Sequence, residues 1–204
     1  MNNEQHEAER LAALTERFTT RAEQDGLVDV AWRTIDSPVG ELLLAATEQG
    51  VVRVGFAVEG RDTVLAELAA KVSPRTLHSP RRLDAAAYRL DDYFTGRAAG
   101  HSGHPGTDAD VPLDLRLTYG YRAEVVRALA GIPYGTTVSY AELAAGTGRP
   151  KAVRAVGTAC ATNPLPLLLP CHRVVRSDGS TGAYRGGAEA KAYLLRMEAD
   201  HQAG

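Results

Sequence analysis

The chain has 204 residues, 44% of them hydrophobic, and a formal net charge of −2 at neutral pH. Those values suit one or two globular domains with a sizeable core and exclude a disordered or fibrous chain. No apolar run reaches the roughly 18 residues of a membrane-spanning helix, and the polar, acidic start Met1–Arg10 is not expected to act as a secretory signal. The charge is unevenly divided. Residues 1–115 carry 12 Lys/Arg against 19 Asp/Glu, a net −7, and residues 116–204 carry 11 against 6, a net +5. A basic half suits contact with a polyanion such as DNA, although uneven halves alone leave the partner open. The only cysteines, Cys160 and Cys171, lie on different predicted elements. They make no disulfide framework, so a reducing, cytoplasmic setting is expected.

Residues 1–26 hold a polar helix over Glu7–Arg21, with Leu11, Leu14 and Phe18 as one narrow apolar stripe. A helix packed on the next domain, or a frayed extension, is favoured over a partner-binding arm. Val28–Ile35, Glu41–Thr47 and Val51–Val58 read as three strands joined by turn residues at Ser37–Gly40 and Glu48–Gly50. Asp62 is expected to cap a helix through Lys71, with Val64, Leu65 and Leu68 inward. Ser79-Pro80 marks a further helix start, running to Thr95 and stopped by Gly96. Together these predict a β-meander followed by helices. Asp36, Asp91 and Asp92 read as solvated carboxylates. Residues 96–112, rich in Gly, Pro, Asp and His, are the predicted linker. His101 and His104 have loose metal-ligand spacing there, but no cysteine precedes Cys160 to complete a zinc site, and a solvated loop is expected.

Thr118 is expected to cap a helix from Tyr119 to Ala130, stopped by Gly131. After a Pro133-Tyr134-Gly135 turn, Ser139 and Glu142 form a capping box for a helix over 140–145. Gly146–Arg149 is a turn, and Pro150 takes the first position of a helix running to Ala161. Helix, short glycine-containing turn and helix is the helix-turn-helix pattern, with Lys151 and Arg154 on the first turns of its second helix. Ala152, Ala155, Gly157 and Ala159 would let that helix approach another surface closely. Many helical hairpins bind nothing, so the pattern needs support from elsewhere. Asn163-Pro164 ends the helix, and Leu165–Leu169 reads as a short buried strand. A last helix runs from Ala188 to Asp200.

Pro170-Cys171-His172-Arg173-Val174 places a thiol beside an imidazole and a guanidinium. A thiol is a strong nucleophile only as thiolate, and at an unperturbed pKa of about 8.5 few molecules carry it at neutral pH. A neighbouring base or cation raises that fraction. The dipeptide alone leaves a buried packing cysteine equally open. The surroundings decide. Ile132-Pro133-Tyr134-Gly135, Val138-Ser139-Tyr140, Arg154-Ala155-Val156-Gly157 and Asn163-Pro164 precede the Cys171 segment. Gly182-Ala183-Tyr184-Arg185-Gly186-Gly187 and Lys191 through Glu198 follow it. In this order and spacing they resemble the C-terminal domain of the O6-alkylguanine-DNA alkyltransferases, the methylated-DNA–protein-cysteine methyltransferases. The resemblance is close over residues 114–200, loose over 28–95 and absent over 1–26.

The resemblance implies an α+β protein: a helical extension over 1–26, an α+β domain with linker over 27–112, and a mostly helical helix-turn-helix domain over 113–204. It implies direct reversal of alkylation damage in double-stranded DNA. The second helix would lie in the minor groove, with Arg149, Lys151 and Arg154 on the DNA and Arg154 filling the place of an extruded nucleotide. Tyr140 matches the tyrosine that helps rotate that nucleotide, borders the pocket and is the suggested proton source for the leaving guanine. Cys171 matches the alkyl acceptor and His172 the base that takes its proton through a water. Glu198 matches the carboxylate that orients the histidine, and Asn163 the brace of the active-site turn. Val174, Tyr184 and Arg185 match the pocket wall. The alkyl group of O6-alkylguanine, and of O4-alkylthymine, would pass to Cys171 once per protein molecule. No cofactor and no metal are implied, and a monomer without membrane contact is expected.

The chain departs from the family pattern at two places. Arg185 stands where many relatives have a small residue, which puts bulky alkyl groups in doubt, and Ala161 where some carry a basic one. The related proteins that bind lesions without repair have tryptophan in place of Cys171. A non-repairing or alkylation-sensing DNA-binding protein is the alternative reading, followed by a Cys–His thiol hydrolase.

Overall fold

The structure, a computed structural model, describes residues 3–97 and 111–203. Most of the predicted linker, with His101 and His104, lies outside the described residues. Helix α1 (Asn3–Gln24) is longer than predicted. Its stripe does not pack inward: Leu11, Leu14 and Phe18 are all exposed. The helix is tied down along its C-terminal half, where Glu16 accepts from Arg81 at 2.7 Å, Ala22 packs with Val28 and Ala31, and Glu23 accepts a hydrogen bond from Ser79.

Strands β1 (Val30–Ile35), β2 (Leu42–Thr47) and β3 (Gly50–Phe56) form the expected antiparallel meander. A fourth strand, β4 (Thr76–His78), pairs in parallel with β1 and completes the order β3-β2-β1-β4. Three residues are too few to show a period in sequence, so β4 was not predicted. Strand β2 is buried on both faces. Leu42, Leu44 and Ala46 enter the main core. The alternate residues Leu43 and Ala45 lie with Val64 and Leu68 of helix α2 (Arg61–Lys71). Gly60 is the N-cap of α2, and Asp62 sits inside its first turn without capping it. A 3-10 turn, Arg81–Leu83, leads into α3 (Asp84–Phe94), which buries Ala86, Leu90 and Tyr93.

Residues 111–114 run along β3, where the Val51 N–H donates to the Pro112 carbonyl and the Asp114 N–H to the Val51 carbonyl. Helix α4 (Gly120–Ala128) follows. The Thr118 hydroxyl bonds back to the Leu115 carbonyl and does not cap α4. Strand β5 (Val138–Ser139) leads into α5 (Tyr140–Gly146), whose capping box is present: the Glu142 N–H donates to Ser139 Oγ at 3.1 Å and the Ser139 N–H to Glu142 Oε2 at 2.7 Å. Helix α6 spans Val153–Ala161. Pro150 falls in the turn before it, closed by the Ala152 N–H on the Arg149 carbonyl at 2.8 Å, so the helix begins later than predicted. Strand β6 (Val174–Val175) pairs in parallel with β5, and α7 (Gly187–Ala203) ends the described chain.

Leu165–Leu169 is a buried turn and not the expected strand. The Leu169 N–H closes it on the Leu165 carbonyl at 2.8 Å, and Leu167 adopts a positive φ of 72°. One cluster of buried side chains joins the two halves of the molecule, from Leu44, Val54, Phe56 and Tyr93 to Leu129, Leu168, Cys171, Val174 and Leu194. Each fully buried leucine there contributes roughly 1.5–3 kcal/mol.

Candidate active site

Cys171, His172 and Arg173 form a 3-10 turn at the end of the buried Leu165–Leu169 segment, and all three side chains are buried. A left-handed leucine costs roughly 1–3 kcal/mol and persists only where its surroundings fix it. Asn163 supplies that fixing: its Nδ2 donates to the Leu169 carbonyl at 2.8 Å and its Oδ1 accepts from the Leu165 N–H at 3.0 Å.

Glu198, on α7, is 1% exposed and lies against this turn. Its Oε1 accepts from His172 Nε2 at 2.8 Å, Tyr93 Oη at 2.6 Å and Arg173 Nη2 at 2.9 Å. Its Oε2 accepts from Arg173 Nε at 2.8 Å and the Gly135 N–H at 3.1 Å. A buried carboxylate is tolerated only when its lone pairs are met in this way. Burial pushes the Glu198 carboxyl up, but the His172 hydrogen bond and the Arg173 guanidinium together hold it well below the usual carboxylate range. An ionised Glu198 takes the hydrogen of His172 Nε2, which leaves Nδ1 as the basic atom of the ring. Burial pushes the His172 pKa down and outweighs the upward pull of Glu198, so the ring is neutral near pH 7. His172 Nδ1 is buried with no hydrogen-bond partner among the described residues.

Burial also pushes the Cys171 thiol up to about 11, against a hydrogen bond from Asn163 and the charges of Lys191 and Arg185. The expectation that neighbours would raise its thiolate fraction is therefore reversed in this structure. Desolvation outweighs the cations, and Arg173, the nearest cation in sequence, is committed to Glu198.

Tyr140 opens α5 and is half-buried; a Cβ on Gly182 would come within 2.1 Å of its hydroxyl, so the ring lies against that backbone. Burial and the nearby Cys160 and Cys171 push its pKa up to about 12. Tyr184 is 9% exposed, with its ring centroid 6.2 Å from that of His172 and its hydroxyl unpartnered among the described residues. Val174 is buried, and its carbonyl accepts from Lys191 Nζ at 2.6 Å. Arg185 Nε lies 3.5 Å from Glu59. Cys160 is buried on the inner face of α6 and reads as packing.

Two members of this cluster, Tyr93 and Lys191, are not singled out by the sequence, and Arg173 reads there as a possible activator of the thiol and not as a partner of Glu198. Tyr93 comes from α3, and its hydroxyl is also 3.2 Å from His172 Nε2. Arg173 is the bidentate partner of Glu198, and Lys191 stands 5.9 Å from the Tyr140 ring centroid. Arg173 and Lys191 lay inside the quoted segments. Tyr93 is 79 residues from His172, and no local signal marks it.

Helix α6 turns Val156, Ala159 and Cys160 inward and leaves Val153, Arg154, Ala155 and Thr158 exposed. Ala159 thus belongs to the core and not to the open small-residue surface expected of it. Arg149 and Lys151 are exposed in the preceding turn. Arg149 is partly engaged, 3.4 Å from Glu124 and stacked 4.4 Å from the Tyr121 ring centroid. Arg154 and Lys151 have no ion-pair partner among the described residues. A basic surface therefore sits on one side of α6, and the buried thiol follows its C-terminal end.

Family models match both halves of the chain: the ribonuclease-like domain of 6-O-methylguanine DNA methyltransferase over residues 30–100, and the DNA binding domain of the same family over residues 120–200. The chain belongs to the 6-O-methylguanine DNA methyltransferase family. It is 38% identical over 180 residues to the methylated-DNA–protein-cysteine methyltransferase of Mycolicibacterium paratuberculosis, covering 84% of this chain and 94% of that one. It is 36% identical over 173 residues to the bifunctional transcriptional activator/DNA repair enzyme Ada of Escherichia coli, covering 85% of this chain but only 46% of that longer protein. Its fold is similar to the crystal structure of Mycobacterium tuberculosis O6-methylguanine methyltransferase, with TM-score 0.69, 34% identity, and 84% and 94% of the two chains covered. A structure of Mycobacterium tuberculosis OGT in complex with DNA matches with TM-score 0.68 over the same shares. Among the described residues no helix is long and apolar enough to cross a membrane.

Proposed function

We propose that this chain repairs O6-alkylguanine in duplex DNA by moving the alkyl group irreversibly onto Cys171. The observation that carries the reading is the buried Cys171-His172 pair backed by an ionised Glu198, in a chain of this family. The basic surface of Arg149, Lys151 and Arg154 holds the DNA. Arg154 occupies the stack when the damaged nucleotide turns out, and Tyr140 borders the space it enters.

The chemistry follows from the protonation states. The resting thiol is protonated, so attack needs a base at that moment. Neutral His172 offers Nδ1, and the proton passes to it through a water. Glu198 stabilises the imidazolium that results. The sulfur forms a bond to the alkyl carbon, the carbon–O6 bond breaks, and guanine leaves with the bonding pair. Tyr140 supplies the proton that the leaving base takes up. Tyr184, Val174 and Arg185 line the guanine. The thioether is not hydrolysed, so each molecule acts once, without cofactor. O4-alkylthymine presents the same alkyl–oxygen bond and is a second substrate. The need for a free thiol places the protein in the cytoplasm.

Intact-protein mass spectrometry after incubation with a duplex carrying one O6-methylguanine tests the reading. One methyl group per chain, mapped to Cys171 and saturating, is expected. Bound DNA with no mass change would leave a lesion-binding protein in its place.

A further inference from the structure

The Tyr184–Gly187 segment is held on its far side by the N-terminal half of the molecule. Phe56, at the end of β3, packs its ring edge-to-face on Tyr184, with centroids 5.4 Å apart. A Cβ on Gly186 would come within 2.7 Å of the same Phe56 ring, so that ring lies directly on the backbone of Gly186. Between the two, Arg185 Nε stands 3.5 Å from Glu59 Oε2. Glu59 is itself well fixed. Its Oε1 accepts from the Phe56 N–H at 2.9 Å, and its Oε2 accepts from Arg53 Nη2 at 2.6 Å. Arg53 is 1% exposed, stands 3.6 Å from Glu67 and donates to the Val54 carbonyl. An arginine so buried cannot swing to water without unpairing, so Glu59 has a rigid anchor behind it.

This arrangement bears on a residue that the family pattern does not account for. Arg185 brings a long side chain to the segment matched to the pocket wall. It is half-buried, and its charge reaches the Cys171 thiol. An arginine without an anchor at such a place samples many rotamers. Here one carboxylate, itself held by a buried arginine, selects among them.

We propose that Glu59 is a positioning residue for the pocket wall: by holding Arg185, it sets how large an alkyl group the site admits. The inference rests on the proposed alkyl transfer to Cys171. The clamp keeps the Arg185 stem and the Tyr184–Gly186 backbone in place, so a methyl group is accepted and a bulkier one meets the wall. Releasing the clamp lets the wall yield, which relaxes the discrimination.

The test compares single-turnover transfer from one duplex sequence carrying O6-methylguanine or O6-benzylguanine. It uses the full chain and its Arg185→Ser, Glu59→Gln and double variants. Arg185→Ser is expected to raise the benzyl-to-methyl rate ratio about tenfold, the scale on which a pocket discriminates by size. Glu59→Gln is expected to raise it about threefold, and the double variant to match Arg185→Ser alone, because residues acting through one contact are not additive. Glu67 keeps Arg53 paired in Glu59→Gln, and Arg185→Ser leaves Glu59 with Arg53, so each variant retains one half of the network. An unchanged ratio in Arg185→Ser overturns the proposal. So does a Glu59→Gln chain that loses both rates equally, the mark of a merely structural role, or a Glu59 effect that adds fully to that of Arg185. Failure of the wild-type chain to transfer either group would instead refute alkyl transfer itself, and this inference with it.

Discussion

The relay around Glu198 and the outer face of α6 follow opposite rules. In the relay the charges are buried and answered: one carboxylate meets an imidazole, a phenol, a guanidinium and a backbone N–H. Arg154 on α6 and Lys151 in the turn before it are exposed and have no ion-pair partner among the described residues. Charges in the first region fix a geometry, because leaving any one of them unpaired in a low dielectric is costly. Charges in the second fix nothing within the protein and remain available to a polyanion. Under the proposed function bond-making belongs to the first region and DNA capture to the second, and the contrast predicts that substitutions in the two fail in different assays.

The largest effect is expected at Cys171. Cys171→Ala removes all alkyl transfer, read as the absence of a mass increment, while affinity for duplex DNA stays within about twofold because the α6 face is untouched. Residual transfer would point to another acceptor, with Cys160 first to examine.

Next comes Glu198→Gln. It leaves Arg173 buried against a neutral amide and takes the charge from behind His172. Stability is expected to fall by roughly 3–5 kcal/mol in denaturant titration, and transfer by roughly 10²–10⁴-fold, the range for losing general-base assistance. A folded, fully active Glu198→Gln protein would remove the relay from the mechanism.

Arg154→Ala is the reciprocal experiment. Transfer from duplex is expected to fall roughly 10- to 100-fold, the cost of holding an unstacked nucleotide without the side chain that replaces it. Reaction with free O6-benzylguanine base should be nearly unchanged. Equal losses on both substrates would show that Arg154 acts on folding or chemistry, and the division between the two regions would fail.

Tyr93→Phe is smaller and concerns the seam between the halves. It deletes one hydrogen bond to a buried carboxylate, at roughly 1.5–3 kcal/mol of stability. Transfer from duplex and from free base should fall together, because His172 loses a neighbour and the DNA face loses nothing. No change in either would make Tyr93 a packing residue only.

How far these regions could be read in advance depended on how local their signals are. The Ser139/Glu142 capping box was legible because it acts within a few residues of itself, whereas the role of Asn163 came only through family resemblance, although its partners lie two and six residues away. Cys171, His172 and Glu198 were legible only through family resemblance; nothing in the sequence between residues 172 and 198 states that α7 returns to the cysteine turn. Tyr93 was not legible at all, since its partners lie 79 and 105 residues away. Leu165–Leu169 misled because a short apolar run reads the same whether it extends into a strand or folds into a buried turn. Thr118 and Asp62 misled for another reason: each had chemistry suited to a cap, but the Thr118 hydroxyl bonds back to the Leu115 carbonyl and Gly60 took the place expected of Asp62.

The last and smallest expected effect is on pH dependence, and it tests whether His172 rests neutral. An unfolded histidine titrates near 6.5, and burial places the folded value lower. Between those two values the unfolded chain holds the proton and the folded chain does not. The stability His172 contributes is therefore fully present above pH 6.5 and is lost as the pH falls below it. Glu198 adds a loss of the same sign further down. Its unfolded value is 4.5 and its folded value is held lower by His172 and Arg173, so its contribution is complete above 4.5 and declines below. The thermal midpoint is expected to be level from about pH 8 to about pH 7, to fall through the histidine window, and to fall again in the carboxylate window. Glu198→Gln should lose the second fall and keep the first, since removing the carboxylate makes a buried imidazolium less favourable still. A midpoint that rises as the pH drops from about 7 to about 5 would mean that the folded protein gains the proton. His172 would then rest as an imidazolium with no lone pair on Nδ1, and the thiol would need another base.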